Sequence, residues 1–317
     1  MSLLRASGRD NPSPAAAVRR FFKRTPWLSG GGESGKAPTN ADYWSSHNVT
    51  NHQAFATREA SLRRLNWRNS QYLFYADWLQ FQRFEAKAVL DFGCGPGDDL
   101  VALQEFSKPD RLVGVDVSAA SVEESKRRLA CHAGKQPEIR LVDEGGALPF
   151  DAGSFDFVIA SGVLHHVFDL RATLSELYRV LKPGGVMLAM IYNRESVWAH
   201  LYVPYMRQLR DRVDSDLTFE EAFKRSTDGP SCPKSMCFEP EKFEKVVCAH
   251  GFSGGYTGAA VSIAEMEWLP ERLAAIQDPR LPEVDCQFLA RLSFDEHGRP
   301  LHEGRVAGID GFYEFVR

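Results

Sequence analysis

The run Asp91-Phe92-Gly93-Cys94-Gly95-Pro96-Gly97 follows directly on a short apolar segment, Ala88 to Phe92. Glycines at this spacing let a chain turn sharply from strand to helix and let a ligand approach the backbone closely. Asp91 stands just before the loop, where a ligand ammonium could sit. Asp116 ends the next apolar segment, and a carboxylate there is placed to accept both hydroxyls of a ribose. Asp143 and Glu144 end the third segment, near where an adenine ring would lie. A phosphate-cradling loop would instead need Gly-Lys-Ser/Thr after its glycines. Asp98-Asp99 stand there, and two carboxylates would repel a pyrophosphate. The pattern favours a cationic nucleoside over a dinucleotide.

These groups need a scaffold that brings segment ends together. Apolar runs at 88–92, 111–115, 139–142, 155–160 and 186–191 alternate with helical patterns. The helix of 118–129 would be capped by Ser118. The next would be capped by Asp169, with Leu170, Leu174, Leu177 and Leu181 on one stripe, and would stop at Pro183-Gly184-Gly185. Pro240 opens a further helix that ends at Gly251, and strands follow near 252–257 and 311–316. The alternation predicts an α/β fold with a mostly parallel, seven-stranded sheet and helices on both faces. Ligands bind such sheets beyond the carboxyl ends of the strands, which is where Asp91, Asp116 and Asp143 fall.

The motifs in order are Val89 to Gly97, Gly114-Val115-Asp116-Val117-Ser118, Leu148-Pro149-Phe150 with Ser154 to Val158, Leu164-His165-His166-Val167, and Arg179 to Gly185. Together they resemble the class I S-adenosylmethionine-dependent methyltransferases, which have a Rossmann-like fold. The branch is the one with ubiquinone and menaquinone C-methyltransferases and many small-molecule O-methyltransferases. The resemblance covers about 87–191. It implies S-adenosylmethionine as cofactor and S-adenosylhomocysteine as product. Asp91 and the loop of Gly93, Cys94, Gly95 and Gly97 would hold the methionine part, Asp116 the ribose, and Val117 would flank the adenine. Either Asp143, as the strand-end residue, or Glu144, by family spacing, would meet the adenine amino group. Ser161 to Leu164 would line the sulfonium end. Trp67-Arg68-Asn69 and Tyr72 would close over the cofactor.

Methyl transfer from a sulfonium is an in-line displacement, in which a protein aligns the nucleophile and excludes water. A hydroxyl acceptor also needs a base, and His166 and His165 follow the fourth strand, where the reacting atom should lie. The alternative is that this pair only caps and orients the following helix. After the fifth strand come Tyr192, Asn193, Trp198, His200, Tyr202 and Arg225 as candidate substrate contacts. Trp198 and Tyr202 share a helical face with Tyr205, which also suits plain core packing. Arg225 could clamp an acidic group or make a surface ion pair.

The chain has 317 residues, 44% hydrophobic and 25% charged, with net charge −4. Seven basic against two acidic residues give segment 1–40 a net +5, which leaves −9 for the rest. A sizeable core is affordable, and no run is long enough to span a membrane. We read 1–40 as a flexible basic tail, 41–86 as an aromatic-rich helical cover, and 87–317 as the catalytic domain with an inserted cap at 194–238. Six scattered cysteines suggest reduced thiols. The spacing of Cys232, Cys237, Cys248 and His250 is not that of a zinc site, and no metal is expected. The leading expectation is methylation of a small molecule at oxygen. C-methylation of a quinone-like or lipid-linked ring is the alternative. An RNA methyltransferase gripping phosphates with the tail, or a binding protein without chemistry, follows behind. No nucleic-acid-binding module is visible outside the tail. The expected location is cytoplasmic, with mitochondrial as the alternative from the basic tail. The oligomeric state stays open, a homodimer included.

Overall fold

A computed structural model describes residues 39–47 and 55–317. The expected flexible basic tail, 1–40, lies outside the described residues apart from Thr39 and Asn40.

The strands in chain order are β1 (Tyr72–Leu73), β2 (Ala88–Phe92), β3 (Arg111–Asp116), β4 (Glu138–Leu141), β5 (Phe155–Ser161), β6 (Leu181–Tyr192), β7 (Ser253–Ser262), β8 (Ser293–Phe294), β9 (Pro300–His302), β10 (Arg305–Val306) and β11 (Asp310–Val316). Eight of them form one sheet in the order β1-β7-β11-β6-β5-β2-β3-β4, and β8 to β10 form a small separate one. From β4 across to β6 the pairs are parallel, whereas β11 runs antiparallel to both β6 and β7. Seven strands were expected. The eighth is β1, a two-residue edge strand paired with Val261 and Ser262 and too short to leave a periodic signal.

The chain moves outward through β2, β3 and β4 and returns on the other side of β2 with β5. The strand order therefore switches between β2 and β5, and the crevice at their carboxyl ends is the natural ligand site. Alternation along the strands feeds two cores. Leu90, Val158 and Ala160 face helices Leu170–Val180 and Pro240–Cys248, while Val89 and Ile159 face helix Asp98–Phe106 and the segment around Leu65, Tyr75 and Phe84. Ser118 and Asp169 accept N–H bonds from Ser121 and Ala172, so both predicted helix starts are capped by side chains. Helix Leu170–Val180 hands over directly to β6, so its stop precedes the Pro183-Gly184-Gly185 turn by a few residues.

A third core was not foreseen. Val197, Leu201, Tyr205 and Met206 pack with Leu269, Leu281, Phe288 and Leu292. The insertion after β6 therefore shares its core with a second insertion, between β7 and β11, made of helices Ile263–Trp268, Arg272–Gln277 and Glu283–Ala290. Sequence patterns assigned that second stretch to the sheet because its helices are short. The first insertion carries a wide helix, Trp198–Arg210, with Pro204 inside, and helix Phe219–Thr227. Among the described residues, no helix is long and apolar enough to cross a membrane.

Candidate active site

A cavity of about 320 Å³ opens at the carboxyl ends of β2, β3, β5 and β6. Its floor is the glycine loop. Gly93 and Gly97 have φ of +75° and +83°, and a Cβ at Gly93 would lie 2.3 Å from the Val163 side chain, so both need glycine. Cys94 is buried beneath the loop against Gly114, which leaves the loop backbone to face the cavity. Asp116 ends β3 and accepts N–H bonds from Gly95 and Ser118, both at 2.8 Å. Burial raises its pKa, against these bonds. A carboxylate has about four acceptor sites, so acceptor capacity remains after these bonds. Val117, Asp143 and Glu144 line the cavity beyond it.

Asp91 is 2% exposed, and its Oδ2 has no hydrogen-bond partner. Burial, with Asp99 and Asp116 beside it, pushes its pKa well above the usual carboxylate range. Asp98 and Asp99 are not free to meet a ligand in the same way. Arg128, fully buried, pairs with Asp98 at 2.7 Å, and Arg68 pairs with Asp99 at 2.5 Å. The electrostatic invitation to a cation thus comes from Asp91 rather than from the two acids after the loop. Arg68 itself lines the cavity, stacks 4.6 Å over the Tyr75 ring, and keeps a buried Nε without a partner. Tyr72 and Ser161 are lining residues too, and Ser161 is fixed by the Tyr75 hydroxyl at 2.5 Å. The residues present fit S-adenosylmethionine: an unpaired buried carboxylate for an ammonium, and a strand-end carboxylate with spare acceptors for the ribose.

Helix Asn40–Ser46 lies across the opening. The Asn40 side chain donates to Glu144 Oε1 at 2.5 Å and to the His166 carbonyl at 2.9 Å. Tyr43 donates to the Asp228 carbonyl, and the Trp44 ring meets His166 edge-on at 4.8 Å. Sequence reading placed closure on Trp67 to Tyr72 and did not single out helix Asn40–Ser46 within the expected helical cover at 41–86. The Thr39 to Asp42 capping box was its available signal.

The two histidines part company. His166 lines the cavity, and its Nδ1 lies 2.8 Å from the Lys234 carbonyl. That contact assigns the proton to Nδ1 and leaves Nε2 to accept one. Nε2 is 3.6 Å from Asp228 Oδ1. Asp228 is buried and accepts hydroxyls from Tyr192, Thr227 and Ser235. His165 does not line the cavity. Its ring lies 4.0 Å from that of Tyr192 with both nitrogens unpartnered, and burial, then His166, holds its pKa well below the usual histidine value. Cys232 adds its Sγ, so that one potential ligand atom each of His166, Asp228 and Cys232 lies within 4.8 Å of the others. Burial, with Asp228 near, pushes that thiol up to about 12. Sequence reading singled out Arg225 but not Asp228. A lone Asp after a helix has no motif around it.

The other expected acceptor contacts lie elsewhere. Tyr192 lines the cavity. Asn193 turns away and braces the chain through the carbonyls of Glu195 and Gly308. Trp198 meets Trp268 edge-on and Tyr202 stacks on it, while His200 binds Asp285 at 2.7 Å and stacks on Phe288. These three serve the third core, because the wide helix turns its aromatic face toward the second insertion. Arg225 pairs with Glu221 one turn back on its own helix, away from the cavity.

Residues 90–189 match the family model described as a methyltransferase domain. Residues 90–189 form a class I S-adenosylmethionine-dependent methyltransferase domain. The match begins inside β2 and ends inside β6, so the methyltransferase domain contains the glycine loop, Asp116 and both histidines. The chain is 35% identical over 120 residues, 38% of its length and 33% of the relative's, to an uncharacterized 37.1 kDa protein in transposon TN4556 of Streptomyces fradiae. It is 34% identical over 103 residues, 32% of its length and 41% of the relative's, to the demethylmenaquinone methyltransferase of Symbiobacterium thermophilum. It therefore spans less than half the length of these relatives. A solved SAM-dependent methyltransferase of Aquifex aeolicus covers 79% of this chain and 93% of its own, at 15% identity and a TM-score of 0.46.

Proposed function

We propose that the chain is a methyltransferase that moves a methyl group to an oxygen of a small-molecule acceptor, with His166 as the base. S-adenosylmethionine supplies, when bound, a methyl carbon made electrophilic by its sulfonium. Asp91 would hold the ammonium of its methionine part and Arg68 the carboxylate. Asp116 would take the ribose hydroxyls, with Val117 against the adenine and Asp143 or Glu144 at its amino group. Gly93, Cys94, Gly95 and Gly97 would contribute backbone to the same pocket.

The observation that carries the reading is the His166 geometry. The Lys234 carbonyl anchors Nδ1, which leaves Nε2 as a proton acceptor on a ring that lines the cavity. Asp228, 3.6 Å away, would stabilise the imidazolium once Nε2 has taken the hydroxyl proton. Helix Asn40–Ser46 and Tyr192 would exclude water. C-methylation of a quinone-like ring is a second reading, favoured by the relatives named demethylmenaquinone methyltransferase.

Calorimetry with S-adenosylhomocysteine tests the first step. Micromolar binding is expected, and no binding by the full chain would end the proposal.

A further inference from the structure

Asp310 has no part in the chemistry above. It opens β11, is 2% exposed, and lines the cavity. Among the described residues, no hydrogen bond or ion pair reaches its carboxylate, whereas Asp99, Asp116 and Asp228 are all matched. Arg68, the nearby arginine, pairs with Asp99 and is assigned above to the methionine carboxylate. A second buried acid, Glu265, lies near and adds repulsion. A buried carboxylate in this position is costly until a cation or a proton answers it.

Its place in the sheet says which ligand would answer. β11 is separated from β2 by β6 and β5, about 14 Å at ~4.8 Å per strand. Asp310 therefore lies on the acceptor side of Asp91, with Arg68 near both. It stands directly across from Tyr192, so the two side chains share a face of the sheet. Tyr72, expected from the sequence to close over the cofactor, and Tyr75 line the cavity near Asp310. Aromatic rings beside an unpaired carboxylate suit the recognition of an ammonium.

We propose that Asp310 is a specificity residue that takes an ammonium group on the acceptor, while His166 faces the hydroxyl to be methylated. This rests on the methyltransferase reading above.

The test uses the full chain loaded with S-adenosylhomocysteine. Three probes of similar size are titrated into it by calorimetry: tyramine, the neutral 2-(4-hydroxyphenyl)ethanol and the anionic 3-(4-hydroxyphenyl)propanoate. Tyramine should bind at least tenfold more tightly than the alcohol, and the propanoate most weakly. Asp310→Asn should abolish the preference for tyramine and leave the affinity for S-adenosylhomocysteine within about twofold. Equal binding of tyramine and the alcohol by the parent protein overturns the proposal without any variant. So does a preference that survives in Asp310→Asn. If the parent binds no S-adenosylhomocysteine, the methyltransferase reading itself has failed, which is a different result.

Discussion

The Asp116 carboxylate accepts the Gly95 N–H at 2.8 Å and so ties the end of β3 to the middle of the glycine loop. The residue assigned to the ribose is therefore also a staple for the loop. Asp116→Ala should weaken S-adenosylhomocysteine binding by about 2–3 kcal/mol, the scale of charge-assisted hydrogen bonds. Calorimetry of the parent and variant checks this, and unchanged affinity would remove Asp116 from the ribose site.

The two adjacent histidines should respond differently to alanine. His166→Ala should lower methyl transfer at least a hundredfold and leave cofactor affinity near that of the parent. His165→Ala should act mainly on stability, since its ring is buried against Tyr192 and does not reach the cavity. Transfer of radiolabelled methyl from the cofactor to an acceptor, alongside urea unfolding, separates the two effects. Equal rate losses in both variants would sink the assignment of the base.

Asn40 bridges Glu144 and the loop of His166 from a helix that precedes the whole domain. Removing it costs one charge-assisted and one neutral hydrogen bond, roughly 2–4 kcal/mol before relaxation. Asn40→Ala should speed dissociation of S-adenosylhomocysteine about tenfold or more in stopped-flow displacement. An unaltered off-rate would mean that helix Asn40–Ser46 does not gate the site.

Glu265 predicts a pH effect on folding. Burial raises its carboxyl pKa to about 7, against N–H bonds from Ser262, Trp198 and Ile309. The folded chain therefore holds a proton that the unfolded chain releases at its ordinary, lower pKa. The stabilisation is full below that unfolded value and is lost as the pH rises toward and through about 7. The loss is on the order of 3 kcal/mol. Glu265→Gln cannot titrate, so the fall in its urea midpoint between pH 5 and pH 8 should be smaller than in the parent. Identical slopes would count against a titrating Glu265.

The parts of the fold that sequence revealed are those with local signals. The glycine loop, the strand-end Asp116, and the caps Ser118 and Asp169 each carry their cause within a few residues. The β1 edge strand, the third core and Asp228 do not. β1 is defined by its pairing with Val261 and Ser262, far away in the chain. Trp198, His200 and Tyr202 have the composition of a ligand box, but their partners Trp268, Asp285 and Phe288 lie in an insertion that shows no long periodic pattern. Asp310 was hidden for a similar reason. It reads as the residue before an ordinary strand, and only the position of that strand beside β6 brings it to the cavity.

The shared core of the two insertions has a further consequence. Val197 and Ala307, joined by a backbone hydrogen bond, sit where the insertions meet, while the glycine loop and Asp116 rest on other clusters. Changes that reshape the insertions need not disturb the residues assigned to the cofactor. The architecture is modular, so descendants of one ancestor could diverge in what they methylate and still keep the same donor.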